Sequence, residues 1–241
     1  MKKFGIIFLS LLFILSFSFN AMAEEKPSNT GYYVAILGGV SIPGGMSSTV
    51  TDKTPGIGSS DLNVELKTGW LAGAKFGYLT PFTNRIIAVE LEYNHIANNT
   101  DTAKTYTLYN DPTTTLDSSV KIDAFMFNVI GRYPEGKSHP YIGVGAGYAN
   151  VAIDDVRGRS ATMTVNCSSG SKGVFAYQFL AGIDFDITSN WFVGLGYKYF
   201  AASKASYDAS ITSSLYSGTH PGSIDAEYKS SIITFSVGYL F

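Results

Sequence analysis

The stretch "GVFAYQFLAGIDFDITSNWFVGLGYKYF", Gly173 to Phe200, consists of two strictly alternating runs joined by Thr188-Ser189-Asn190. Side chains alternate faces along an extended strand. The first run therefore sets Phe175, Tyr177, Phe179, Ala181, Ile183, Phe185 and Ile187 on one side, against Ala176, Gln178, Leu180, Gly182, Asp184 and Asp186 on the other. The second run sets Trp191, Val193, Leu195, Tyr197 and Tyr199 against Phe192, Gly194, Gly196 and Lys198. In both, the continuous aromatic face is opposed by a face that mixes glycines with charges. Glycine weakens a solvent-exposed strand, so the glycine-rich face is not the outside of a soluble sheet. A narrow barrel interior needs small residues where backbones crowd, with a few charged groups filling the rest. The aromatic face then points out into lipid, which inverts the arrangement of a soluble barrel of lipocalin type.

Working outward from this stretch, similar segments recur at Tyr32 to Val40, Leu66 to Leu79, Arg85 to Ile96, Val120 to Tyr133, Pro140 to Ile153 and Tyr228 to Phe241. With the first two they make eight, most of them long enough to cross a hydrocarbon layer, which takes about 9–11 tilted residues. The third repeats the pattern, with Ile87, Val89, Leu91 and Tyr93 against Ala88, Glu90, Glu92 and Asn94. Connections alternate between short ("TPFTN", "PEGKSH", "TSN") and long segments rich in Ser, Thr, Gly and Asp. An up-and-down meander of this kind has tight turns on the periplasmic side and long loops outside. Trp70, Tyr78, Tyr133, Trp191, Tyr197, Tyr199 and Tyr239 fall near strand ends, where aromatic girdles meet the lipid interfaces. The fold class read from these features is all-β, an eight-stranded antiparallel up-and-down transmembrane β-barrel.

The N-terminus supplies an address. Lys2 and Lys3 precede an apolar run from Phe4 to Phe19, and Ala21-Met22-Ala23 has the form of a signal-peptidase site. Residues 1–23 read as a cleaved signal peptide and residues 24–241 as the barrel domain. The chain carries a formal charge of −2 and becomes more acidic once Lys2 and Lys3 leave, so nothing in it suggests a nucleic-acid partner. The single cysteine, Cys167, has no partner for an intramolecular disulfide. Beyond the leader, no apolar run approaches the roughly 18 residues a membrane helix needs. Spanning is left to strands, which the 25 Gly, 16 Tyr, 16 Phe and 15% charged residues suit.

Together, the leader, the eight strands, segments such as "HPYIGVGAGY" and the terminal "FSVGYLF" resemble the eight-stranded outer-membrane barrels of the OmpA, OmpX and opacity-protein type. The resemblance covers the whole mature chain, and the sequence shows no peptidoglycan-binding domain of the kind OmpA adds. It implies a monomer in the bacterial outer membrane, in contact with outer-membrane lipid and lipopolysaccharide. It also implies that Ile233, Phe235, Val237, Tyr239 and Phe241 form a C-terminal signal read by the barrel-assembly machinery. The superfamily holds structural proteins, adhesins, surface antigens and a few enzymes, so the resemblance leaves the activity open.

The inward charges are the candidate site. Counted from the centre of "TPFTN", Lys75 and Glu90 lie at equal heights and are expected to face each other, with Lys198 at a similar height and Glu92 one pleat above. Asn128 and Gln178 flank this layer, and Arg132, Asp184 and Asp186 lie lower, near the periplasmic end, as a second cluster. Unpaired buried charges cost several kcal/mol each, so pairing is expected. Such a layer acts as a structural plug or, if its partners exchange, as the gate of a small ion or solute pore. The resemblance admits, as a distant alternative, an outer-membrane lipid-modifying enzyme with a His near the outer lipid interface, but the signals are poor: His139 reads as part of a periplasmic turn, His220 as part of the last long loop, and His95 faces lipid near the outer rim with no His-x-Ser pairing around it. The expectation is a non-enzyme with no cofactor and no metal. The long loops, with Tyr106, Tyr109, Tyr207 and Tyr216, are the expected surface for adhesion, antigenic display, or binding a glycan or host protein.

Overall fold

The computed structural model describes residues 31–53, 58–101, 105–108, 111–159, 163–213 and 219–241. The expected leader over residues 1–23 lies outside the described residues. Eight strands close a ring: β1 (Tyr32–Asp52), β3 (Gly69–Leu79), β4 (Ile87–Asn99), β7 (Ser119–Arg132), β8 (Ser138–Ile153), β11 (Gly170–Asp186), β12 (Trp191–Ser213) and β13 (Thr219–Leu240). Every neighbouring pair is antiparallel, and β1 pairs with both β3 and β13 to seal first strand against last. Closure removes the unpaired edges that would otherwise leave backbone N–H and C=O groups in hydrocarbon.

The expected inversion of faces is present. Ile36, Leu91, Phe125, Ile142, Phe179 and Phe235 stand exposed on the outer wall, while Glu90, Asn94, Asn128, Gln178 and Lys198 are buried in the lumen. Along β7 the outer wall runs from Tyr133, just past the strand's end, up through Val129, Phe127 and Phe125 to Asp123, where polarity resumes. At about 3.3 Å per residue and a tilt near 40°, that apolar band is roughly 25 Å tall, the height of an outer-membrane barrel's lipid belt. Among the described residues, no helix is long and apolar enough to cross a membrane.

One difference concerns the long connections, read from sequence as polar loops. Much of their length is strand. β2 (Gly58–Val64) pairs with the end of β1, while β10 (Met163–Cys167), β9 (Val156–Arg159), β6 (Asp111–Asp117) and β5 (Thr105–Leu108) continue outward from β12. The wall therefore extends beyond the lipid belt. Met46, Val50, Val64, Ile211, Ile224 and Ala226 point into this extension and are buried. Their spacing is the period of 2 that marks a strand, but the intervening Ser and Thr gave it the composition of a loop. Register shifts at Pro43/Met46 and Ala202/Ala205 lie on either side of β13 at the same level. Bulges there bend and twist the strands as they leave the membrane.

Candidate functional site: the plugged lumen

The barrel's height scale is set by its turns. Leu79 pairs with Ala88 across a 3-10 turn over Pro81–Thr83, after which Asn84 and Arg85 take left-handed backbone angles (φ 52 and 63). Those two extra positions move the turn's centre toward β4. Lys75 therefore lies opposite Glu92 rather than opposite Glu90, the partner expected from a centre within "TPFTN". The side chain corrects what the register does not: Lys75 Nζ reaches down one pleat and stands 2.9 Å from Glu90 Oε1. Glu92 is engaged instead by Lys198, which arrives across the lumen from β12.

These groups form one connected, charge-neutral layer of two cations and two carboxylates. Tyr33 Oη donates to Glu90 Oε1 at 2.5 Å. Asn128 Nδ2 lies 3.3 Å from Glu90 Oε2 and 3.3 Å from Glu92 Oε2, so one amide bridges the two ion pairs. Gln178 Nε2 donates to Asn128 Oδ1 at 2.7 Å and to Glu92 Oε1 at 3.2 Å, while Lys198 also donates to Asn94 Oδ1 at 3.0 Å. Both side chains of each ion pair are at least nine-tenths buried. Burial makes each charge dependent on its partner, because desolvation is repaid only when geometry is good and the remaining lone pairs are filled. The Lys75 ammonium also sits 5.8 Å from the ring centroids of Tyr33 and of Tyr141.

Glycine makes the room. A Cβ on Gly145 would come within 2.0 Å of Asn128 Oδ1, and one on Gly77 within 2.1 Å of the Tyr33 ring. Gly145 and Gly77 are thus positions over which the layer's side chains lie, whereas Gly182 and Gly196 make room for the Tyr141 hydroxyl and Gly194 for Asp184 and Ser236.

A second seal lies above the first. Ser41 Oγ is 2.8 Å from Ser230 Oγ, 3.1 Å from Tyr228 Oη and 3.1 Å from Asn98 Oδ1, which Tyr228 reaches directly at 2.7 Å. Buried apolar residues on either side of this hydroxyl layer, among them Leu71, Ile96, Ile122, Phe200 and Ile232, fill the lumen. Sequence reading missed this layer because serines and tyrosines at inward positions look like ordinary strand residues until ring closure brings three strands, β1, β4 and β13, together. It missed Tyr33 for the same reason, although its inward parity was available.

The lower cluster is arranged differently from the expectation. Asp186 pairs with His139 at 2.9 Å, and His139 Nδ1 lies 2.9 Å from the Tyr133 carbonyl. Buried His139 is thus a lumen residue, not a turn residue. Arg132 and Asp184 are lumenal but take no part in that pair, and among the described residues no ion pair joins them to each other or to Asp186. Tyr207, expected as a loop contact residue, is buried and donates to the Val151 carbonyl at 2.7 Å. It belongs to the extended wall. Tyr109 and Tyr216 lie outside the described residues. His95 is outward-facing as its parity indicated, 2.8 Å from Asp123 on β7. Among the described residues, no group of three or more His, Cys, Asp or Glu is placed to hold a metal.

A closed antiparallel ring with an apolar belt outside and a buried polar layer inside defines a β-barrel of the bacterial outer membrane. The chain belongs to the family of the outer membrane protein beta-barrel domain, whose model matches residues 9–241. Its fold is similar to that of the outer membrane protein OprG from Pseudomonas aeruginosa, at 14% identity, 90% of this chain, 99% of that one, and a TM-score of 0.57. Neisserial surface protein A matches at 15% identity over 90% of this chain and 100% of its own, with a TM-score of 0.43. The outer membrane protease OmpT from Escherichia coli matches at 10% identity over 90% and 99%, with a TM-score of 0.48. No curated protein sequence matches the chain.

Proposed function

We propose that this protein is a closed, surface-exposed barrel whose work is done by its outer connections, as a binding, adhesive or antigen-displaying surface. The observation that carries the reading is the double seal of the lumen. A neutral layer of paired Lys75, Glu90, Glu92 and Lys198 is followed outward by apolar packing and a hydroxyl layer. Opening a water path would separate buried ion pairs and wet an apolar segment at once. The wall also continues beyond the lipid belt in β2, β5, β6, β9 and β10, which supports a rigid platform for the connections at its tip.

The competing reading is a small pore gated by partner exchange, which draws support from Lys75 standing opposite Glu92 while bonding Glu90. Single-channel recording of the chain from Glu24 to Phe241, refolded into planar bilayers beside a Lys75→Ala variant, separates the two. Silence from both folded proteins is the expected result. Discrete steps whose size or open time changes in the variant would replace the closed platform with the gated pore.

A further inference from the structure

At the upper edge of the lipid belt the outer wall carries a cluster of polar groups. On the row formed by Ala72 of β3, His95 of β4 and Asp123 of β7, two consecutive strands place an imidazole and a carboxylate on the lipid side. His95 Nδ1 and Tyr93 Oη both lie on Asp123 Oδ1, at 2.8 and 2.6 Å. The Trp70 indole, half exposed, packs 5.2 Å from the His95 ring. Lys121, the nearest cation above them on β7, is occupied 3.0 Å away by Asp154. All of this sits at the ends of the strands from which the long connections leave, hence on the external side.

Directly below lies a groove in the lipid-facing wall, about 850 Å³, lined by Ile36, Ala74, Phe76, Tyr93, Phe125 and their neighbours. Its floor follows from the register. Ile36, Ala74, Tyr93 and Phe125 stand side by side on one row, so the alanine leaves a trough between larger walls. Tyr93 joins the two parts: its ring lines the groove and its hydroxyl binds the carboxylate above.

We propose that this face is a binding site for an acylated sugar lipid of the outer leaflet, with one or more chains in the groove and the sugar against Trp70, His95 and Asp123. A flat indole beside a carboxylate and an imidazole is the chemistry that recognises a sugar, through stacking on its apolar face and hydrogen bonds to its hydroxyls. Charge selects against a phosphate as the direct contact. Asp123 repels an anion, His95 already faces Asp123, and Lys121 is committed to Asp154. Hydroxyl donors meet no such conflict. The site is on the outer wall and involves neither the lumen nor the outer tip, so it stands or falls separately from the closed-platform reading.

The test uses the refolded chain in phosphatidylcholine nanodiscs doped with equal amounts of lipid A and phosphatidylglycerol. Native mass spectrometry after detergent release counts the lipids that stay bound. Wild type is expected to keep one lipid A per barrel and little phosphatidylglycerol. Asp123→Ala and Trp70→Ala should each retain about tenfold less, the size of one lost charge-assisted hydrogen bond or stacked ring. Leu195→Ala, on the lipid face of β12 and outside the lining of the groove, should retain as much as wild type. Heat-modifiable gel mobility reports that each variant is folded. Equal retention by all four proteins, or equal retention of the two lipids by wild type, would overturn the site.

Discussion

Replacing Lys198 by Met tests the plug most directly. The side chain is 3% exposed, and its ammonium bonds Glu92 Oε1 and Asn94 Oδ1. Methionine has nearly the same length and no charge, so the substitution leaves packing almost intact and strands the Glu92 carboxylate. Removing one partner of a buried ion pair costs about 3–5 kcal/mol. Glu92 would keep three amide donors, from Asn94, Asn128 and Gln178. Hydrogen bonds to a charged group are worth about 1.5–3 kcal/mol apiece where they form well. The lower end, about 3 kcal/mol, is therefore expected. Adding Glu92→Gln removes the stranded charge, and the double variant should recover most of that loss, about 2 kcal/mol, and so be far more stable than the sum of the two singles implies. Urea unfolding of the barrel in lipid vesicles, followed by the fluorescence of Trp70 and Trp191, reads these values. A loss under 1 kcal/mol in Lys198→Met would refute the argument. So would a double variant as unstable as the sum of the two singles, because either result would mean that the pair is already solvated.

Other consequences are equally concrete. Gly145→Ala pushes a methyl into the Asn128 amide that joins the two ion pairs, and should cost about 1–3 kcal/mol in the same unfolding assay; Gly131→Ala, whose new atom meets nothing closer than 4.0 Å, serves as the control. At the outer rim, the Ser119 hydroxyl and then the Lys121 ammonium hold the Asp154 carboxyl below its usual 3.8. Its contacts thus contribute stability above that value and lose it as pH falls through the lowered one. A carboxyl carbon NMR titration should place the midpoint of Asp154 below 3.8, and Ser119→Ala should raise it. Finally, Phe241 packs edge-to-face on Tyr239 at 5.1 Å and its amide donates to the Tyr32 carbonyl at 2.8 Å. If Ile233, Phe235, Val237, Tyr239 and Phe241 are read during assembly, deleting Phe241 should lower the outer-membrane yield in cells more than the refolding yield in vesicles; equal losses would make the residue a structural latch only.

Alternation alone determined the barrel. Phe175 to Ile187 opposite Ala176 to Asp186 names an outer and an inner face without reference to any other strand, because the side-chain period of 2 is a local property. The same local rule put Lys75, Glu90, Glu92, Lys198, Asn128 and Gln178 inside and His95 outside. Which inward groups meet was not local. Two left-handed residues in the β3–β4 turn shifted Lys75 opposite Glu92, and only the length of its side chain returned it to Glu90. His139 found Asp186 from an adjacent strand, and Ser41 found Ser230 and Tyr228 on β13 and Asn98 on β4, two strands distant in sequence. The strands hidden in the long connections were likewise illegible, since a sparse apolar row such as Met46, Val50, Ile211 and Ile224 acquires meaning only when ring closure stacks its members over one lumen. Sequence fixes the direction in which each side chain points, whereas register across the closed ring fixes what it touches.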